Sequence, residues 1–155
     1  MTGEHVYTLT TTWTGNRGTG TAGYRAYDRS VTVEVPGKPM LLGSADKPFR
    51  GDPARWNPED LLLAALSQCH LLSYLHVCVT RDVVVTDYVD EASGTMVLRG
   101  PAGAFREAVL RPVVTVAETS MVEAASDAHH QAHEWCFIAN SVNFDVRIEP
   151  TILVG

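Results

Sequence analysis

Three thiols stand on segments that read as helices: Cys69 and Cys78 in the run "NPEDLLLAALSQCHLLSYLHVC", and Cys136 in "HEWCFIANS". The first run opens with two carboxylates, Glu59 and Asp60, and is then mostly apolar up to Cys69. A thiolate is a nucleophile and a soft metal ligand, so redox chemistry and metal binding are both open to these residues. A cysteine on an apolar helix is ordinarily a small buried hydrophobe, and that reading is kept for Cys78. Cys69 and Cys78 lie nine residues apart. On one helix that spacing gives roughly 13 Å of rise and opposite faces, whereas a disulfide needs Cα atoms within about 7 Å. Cys136 could meet either thiol across a helix–helix contact. His129, His133 and Cys136 recur at i, i+4 and i+7, a spacing that would suit zinc, but neither CxxC nor HExxH accompanies them and no metal site is expected. His129 and His130 are expected on a solvated face, His133 beside Cys136, and His70 on a helix face next to Cys69.

The elements that must position these residues follow from pattern. "HVYTLTTTWTG", "TAGYRAY" and "SVTVEV" are rich in Val, Tyr and Thr and predict an antiparallel meander broken by the Gly-rich "GNRGTG". A Pro-rich connection runs from Pro36 to Pro58, and connections that long tend to be functional or interfacial. A helix is predicted over Pro58–Val79, with Asn57 as N-cap, Pro58 at the first helical position and the acidic pair on the positive end of the dipole. Its leucines keep to no single stripe, so it should be buried on more than one side. "DVVVTDYVD" and "GTMVLRG" predict a hairpin turning at Ser93-Gly94, and "EAVLRPVVTVA" one further strand with Pro112 at an edge or bulge. A second helix is predicted from the capping-box pattern "SMVE" at Ser120 to about Asn140. "NFDVRIEPTI" closes as a strand with Phe144, Val146 and Ile148 on one face. The result is an α+β domain spanning 1–155, its helices packed on antiparallel sheet.

Composition bounds the function. The 155 residues are 45% hydrophobic and 19% charged, with a formal charge of −6. One domain with a real core is expected, and no basic run exists to neutralise phosphates, which argues against nucleic acid as partner. Neither a membrane partner nor a secretory leader is expected: no stretch reads as a membrane span, and "MTGEHVYTLT" lacks a basic region followed by an apolar one. These features predict a cytoplasmic protein with reduced thiols, in which a disulfide would be transient.

"NPEDLLLAALSQCH" followed by "HEWCFIANSVNF" resembles the OsmC/Ohr family, the osmotically inducible and organic-hydroperoxide-resistance proteins. The order of elements agrees over essentially the whole chain. The resemblance implies a thiol-dependent peroxidase without a cofactor, built as an intertwined homodimer with sites at its interface. By position Cys69 resembles the peroxidatic cysteine, Cys136 the resolving cysteine and Glu59 the active-site glutamate. Arg17 in "TGNRGTG" resembles the arginine of the N-terminal loop, with Arg25 as the neighbouring alternative. A Cys69–Cys136 disulfide is therefore implied, to be reduced by an external dithiol, for instance of the lipoyl type. The sequence departs from the pattern in "CFIANS", where the organic-hydroperoxide branch has Cys-Pro, and in Gln68 and His70 flanking Cys69.

The chemistry of these roles is coherent. A free cysteine has a pKa near 8.5, and burial raises it, so a reactive Cys69 needs a cation such as Arg17. Glu59 would hold that guanidinium through a bidentate pair. Glu59 and Cys69 are ten residues apart, however, roughly 15 Å along a continuous helix. Either the helix breaks or the glutamate comes from a second chain. Against the peroxidase stand two other expectations: a non-catalytic protein of the same fold that binds an apolar ligand, and a small zinc protein using Cys136 and its histidines.

Overall fold

A computed structural model describes residues 3–155. The chain forms two compact units, one ending at Leu61 and one spanning Leu62–Gly155.

In the first unit β1 (Thr10–Trp13), β2 (Val31–Glu34) and β3 (Leu41–Gly43) make an antiparallel sheet in that order. Trp13 pairs with Val31, and Val31 with Gly43. The predicted strand "TAGYRAY" does not form. Gly18 and Gly20 take positive φ (113° and 56°), outside the strand region, and the segment folds into turns closed by Ala22 N–H on Thr19 O and Ala26 N–H on Gly23 O. Only an isolated Asn16–Tyr27 bridge remains of it. The Pro-rich connection is more ordered than its composition implies. It carries β3, a 3-10 turn over Lys47–Phe49 capped by Asp46, and a Gly43–Trp56 bridge. At Gly51 the backbone passes so close to Ala45 that an added Cβ would lie 1.5 Å from the carbonyl oxygen of Ala45.

Helix α1 (Pro58–Thr80) begins as its sequence dictates, with Asn57 Oδ1 accepting from the Asp60 N–H at 2.7 Å. It ends where Asp82 turns left-handed (φ 54°) and the Val83 N–H returns to Cys78 O at 2.9 Å. Contrary to the reading of the sequence, α1 is long and apolar enough to cross a membrane by length and composition. The polar residues among its leucines, Ser67, Gln68, His70, Ser73 and His76, are too scattered to interrupt it. One side of α1, bearing Leu66, His70, Tyr74, Val77 and Cys78, is buried. The other side exposes Leu72 and Val79, 59% and 74% accessible, so the expectation of burial on more than one side is not met within one chain.

The second unit holds two three-stranded sheets, ordered β4-β7-β9 and β5-β6-β8. The predicted hairpin is replaced by two separate pairings: β4 (Val85–Asp90) runs antiparallel to β7 (Pro112–Val116), and β5 (Ser93–Arg99) to β6 (Ala102–Leu110). Ser93 and Gly94 lie inside β5 rather than in a turn. "EAVLRPVVTVA" is likewise two strands, because the Arg111 N–H leaves the ladder for Asp90 Oδ1 (2.7 Å) and Pro112 then starts β7, the position where a strand tolerates proline. "NFDVRIEPTI" splits at Glu149–Pro150 into β8 (Asp145–Ile148) and β9 (Thr151–Val154). Both pair in parallel, β8 with β6 and β9 with β7, so the sheets are mixed rather than antiparallel. Phe144, Val146 and Ile148 do alternate with exposed neighbours.

Helix α2 (Val122–Trp135) is shorter than predicted. A 3-10 turn over Thr119–Met121 precedes it, and Ser120 Oγ donates to Glu118 instead of closing a capping box. Its buried face is Ala125, Ala128 and Ala132, small residues that admit close approach to Tyr74, Val77 and Cys78 of α1 and to Val114 and Val116 of β7. The Tyr74 hydroxyl donates to Ala125 O at 3.0 Å across this core. The architecture is α+β with two main helices, as expected from the sequence.

Candidate functional site

Two thiols meet where α1 and α2 face each other. Helix α2 ends because Cys136 is extended (φ −69°, ψ 106°), and a tight turn follows with Asn140 N–H on Cys136 O at 3.0 Å. This turn aims the Ala139 N–H at the Cys136 sulfur, 3.4 Å away. Cys69, half-buried on α1, stands close enough to the same sulfur to perturb it. Burial pushes the Cys136 thiol up to about 11, and Cys69 adds to the shift, while the N–H groups of Ala139 and Ile138 oppose it. Cys136 is therefore held as a thiol at neutral pH. Cys78 stands apart: it is 1% exposed, and burial raises its pKa. All three cysteines are free. The structure thus brings Cys69 and Cys136 together and leaves Cys78 in the core, as a small hydrophobe would be.

Behind the thiols lies a feature not foreseen. His129 is not solvated; it is 3% exposed, and His70 only 1%. His70 Nε2 and His129 Nδ1 share a hydrogen bond of 3.0 Å between α1 and α2. The His129 ring stacks on Tyr74 with centroids 3.9 Å apart. Burial lowers His70 to about 4, with His133 adding to the shift, and lowers His129 to about 3, with His70 adding. Both rings are neutral at pH 7, one donating and the other accepting. His70 Nδ1, His129 Nε2 and His133 Nδ1 are buried without partners. His130 is exposed, as expected. Among the described residues no group of three or more His, Cys, Asp or Glu is arranged to hold a metal. The Nδ1 of His129 is engaged by His70. The one hint in the sequence was a histidine on each of two segments that otherwise pack apolar residues.

The acid and the cations belong to the first unit. Glu59, in the first turn of α1, has Oε2 buried without a partner. Arg17 is exposed on the Gly-rich loop, where Nη2 donates to Arg25 O and Nε lies 3.7 Å from Asp28. Arg25 is exposed too. Glu59 instead lines a cavity of about 530 Å³ together with Trp13, Tyr27, Phe49 and Arg29, an arginine the sequence gave no reason to single out. Of the two ways foreseen to bring Glu59 to a thiol, the helix break does not occur, since α1 is continuous from Pro58 to Thr80.

The OsmC-like protein family model matches residues 51–151, and the chain belongs to that family. An OsmC-like protein of unknown function from Vibrio cholerae is 31% identical, with TM-score 0.84 over 95% of this chain and 99% of that one. An organic hydroperoxide resistance protein from Elizabethkingia anophelis is 18% identical, with TM-score 0.68 over 98% and 99%. A further organic hydroperoxide resistance protein, from Legionella pneumophila, is 18% identical, with TM-score 0.65 over 97% and 99%. At that identity the latter two share the fold. A search of curated proteins finds no match.

Proposed function

We propose that the protein is a cysteine-based peroxidase that reduces organic hydroperoxides. The observation that supports this most directly is the approach of Cys69 to Cys136 at the end of α2, close enough to perturb its thiol. In the proposed cycle Cys69 thiolate attacks the outer oxygen of the hydroperoxide. The O–O bond breaks, the alkoxide leaves as an alcohol after taking a proton, and Cys69 becomes a sulfenic acid. Cys136 then attacks that sulfur, its thiol proton leaves with the hydroxide as water, and a disulfide forms. An external dithiol returns both thiols at the cost of its own oxidation. The high pKa of Cys136 keeps it out of the first step, which leaves Cys69 as the attacking sulfur. The reading includes a cytoplasmic homodimer: the outer face of α1, with Leu72 and Val79, and the neighbouring Trp135 and Phe137 would be covered by a second copy, which would also supply the glutamate. The test is consumption of cumene hydroperoxide with a lipoyl-type dithiol. Wild type should turn over and Cys69→Ser should not; equal rates would sink the proposal. The cavity beside Glu59 favours a second reading, a non-catalytic protein binding an apolar ligand, which predicts no turnover by either.

A further inference from the structure

We propose that the turn following α2 is a nest of backbone N–H groups built around Cys136 to hold the negative charge its sulfur acquires on attack, and that Asn140 is the residue that positions this nest. As a part of the catalytic cycle the nest rests on the peroxidase reading; as a property of the thiol it does not.

The difficulty it answers is electrostatic. The thiolate, not the thiol, is the nucleophile, and Cys136 is only 1% exposed, so bulk water does not solvate its charge. Its place in the chain adds to the cost. Cys136 caps the C-terminal end of α2, where the helix dipole is negative. Side chains of the same segment supply no compensation, since no lysine or arginine occurs from Val122 to Ser141. The titratable groups around it are Cys69, with His70 next to it on α1, and His133 and Glu134 in the preceding turn of α2. None is a fixed cation, and Glu134 lies 3.6 Å from His130. What faces the sulfur is backbone. The Ala139 N–H donates to Cys136 Sγ at 3.4 Å, and the Ile138 N–H acts on the sulfur in the same direction. Successive N–H groups in a turn form a concavity that suits an anion. Donors already aimed at a developing charge stabilise it without reorganisation.

Asn140 straddles the cysteine. Its N–H donates to Cys136 O at 3.0 Å, and its Nδ2 donates to Glu134 O at 2.9 Å. Both acceptors are carbonyls at the end of α2 that no helical N–H reaches. The same residue therefore blunts the negative end of the helix and fixes the turn. An amide can donate to a carbonyl and a carboxylate cannot. Ser141 closes the turn from the far side, its N–H on Ile138 O at 3.0 Å and its Oγ on Phe137 O at 2.6 Å. These bonds hold the 3-10 turn Ala139–Ser141 with its first N–H on the sulfur. In the resolving step Cys136 Sγ attacks the sulfur of the Cys69 sulfenic acid. The S–S bond forms, the S–O bond breaks, and the leaving hydroxide takes the Cys136 proton to become water. The nest carries the charge on Sγ until the new bond is made.

The experiment reads the nucleophilicity of Cys136 without any peroxide. The full chain carrying Cys78→Ser is mixed with dithiobisnitrobenzoate. Cys69 takes one aromatic thiol as a mixed disulfide and releases the other. Cys136 then displaces the second, in a phase whose rate does not depend on reagent concentration. Asn140→Ala should slow that second phase at least about tenfold, and the isosteric Asn140→Asp should slow it further, because a carboxylate beside Glu134 O adds negative charge to the helix end. Ser120→Ala, before α2, should leave it within about twofold, as befits an exposed site away from the turn. The Ala139 amide proton is the second readout. It should move upfield in Cys136→Ala, which removes the acceptor, and in Asn140→Ala. The Cys136→Ala arm, together with Ser141→Ala slowing the second phase severalfold, stands even if the Asn140 variants fail to fold. A second phase unchanged in the Asn140 variants, an Ala139 amide unmoved by Cys136→Ala, or a Ser120→Ala loss equal to that of Asn140→Ala would overturn the proposal. A turn that serves stability alone would lower the unfolding midpoint of the Asn140 variants and leave the second phase as it was, which also overturns it. The expected second-phase losses, together with wild type that consumes no hydroperoxide, would remove the peroxidase and leave the nest.

Discussion

Replacing His70 and His129 together by leucine should flatten the acid side of the stability curve. Burial holds the two rings near 4 and 3 in the folded protein, against about 6.5 in an unfolded chain. Above pH 6.5 both states carry neutral imidazole, and the pair adds no pH dependence. Below it the unfolded chain takes up protons that the folded chain refuses, so stability falls with falling pH until the folded values are reached. Each histidine contributes about 1.4 kcal/mol per pH unit in that window. At pH 5, 1.5 units below the unfolded value, the loss is roughly 2 kcal/mol per ring and about 4 kcal/mol for the pair. That is a large share of the roughly 5–15 kcal/mol a domain commonly holds. The groups facing the rings are Tyr74, whose hydroxyl is committed to Ala125 O, and His133, whose interaction with His70 acts in the same direction. The assay is denaturant unfolding at pH 8 and pH 5, at one protein concentration, for wild type, both single variants and the double. Wild type should lose about 4 kcal/mol more than the double variant between the two pH values. At pH 8 each single variant leaves a buried nitrogen unpaired, at about 1–3 kcal/mol, and the double should cost less than the sum of the singles. A double variant as acid-sensitive as wild type would refute the placement of neutral rings in the core.

Mild peroxide treatment should link Cys69 to Cys136 and leave Cys78 alkylatable after denaturation; peptide mapping that returned a Cys69–Cys78 link would contradict the geometry of α1. Cys136→Ser should allow one turnover and then accumulate Cys69 sulfenic acid, trapped by dimedone and read by mass. Aspartate at Leu72 and Val79 should convert the proposed dimer into a monomer by light scattering, since both side chains lie on the exposed side of α1. Gly51→Ala should destabilise the first unit by more than about 2 kcal/mol, because a Cβ there meets the Ala45 carbonyl at 1.5 Å; an unchanged unfolding midpoint would show that the loop yields.

What could be read from the sequence were the features written in local chemistry. Asn57, Pro58 and the acidic pair announce the start of α1 wherever the helix goes, and the predicted span misses its end by one residue, at Thr80. The strand period in "NFDVRIEPTI" was visible, but its partners were not. A parallel pairing of β8 with β6 joins residues some forty positions apart, as in Glu107 with Asp145, and leaves no turn signature between them. The same holds for β4 and β5, whose closeness in sequence suggested a hairpin although each spends its hydrogen bonds on a different, later strand. The thiols were legible because cysteine chemistry is carried by residue type. His129 was misplaced on a solvated face because a histidine paired with another histidine satisfies its polarity through a contact 59 residues away, so its own neighbourhood does not show the reason for burying it. The stacking of Arg29 on Tyr24 and Tyr27 had no counterpart in the pattern, since it arises only where the expected strand has become turns.

The parallel placement of β8 and β9 also sets an order of events during synthesis. Each sheet of the second unit is completed by a strand made after α2: β6 waits for Asp145–Ile148, and β7 for Thr151–Val154. While the ribosome is still producing α2, both older strands present open backbone along one side, an invitation to pair with another chain. Neither sheet can close by a hairpin, and long-range closure of this kind is slow. The nascent chain therefore carries two unfinished edges until about residue 154 has cleared the exit tunnel. A slow stretch of translation placed just before Asp145 would lengthen that exposure, whereas one placed between α1 and β4 would not.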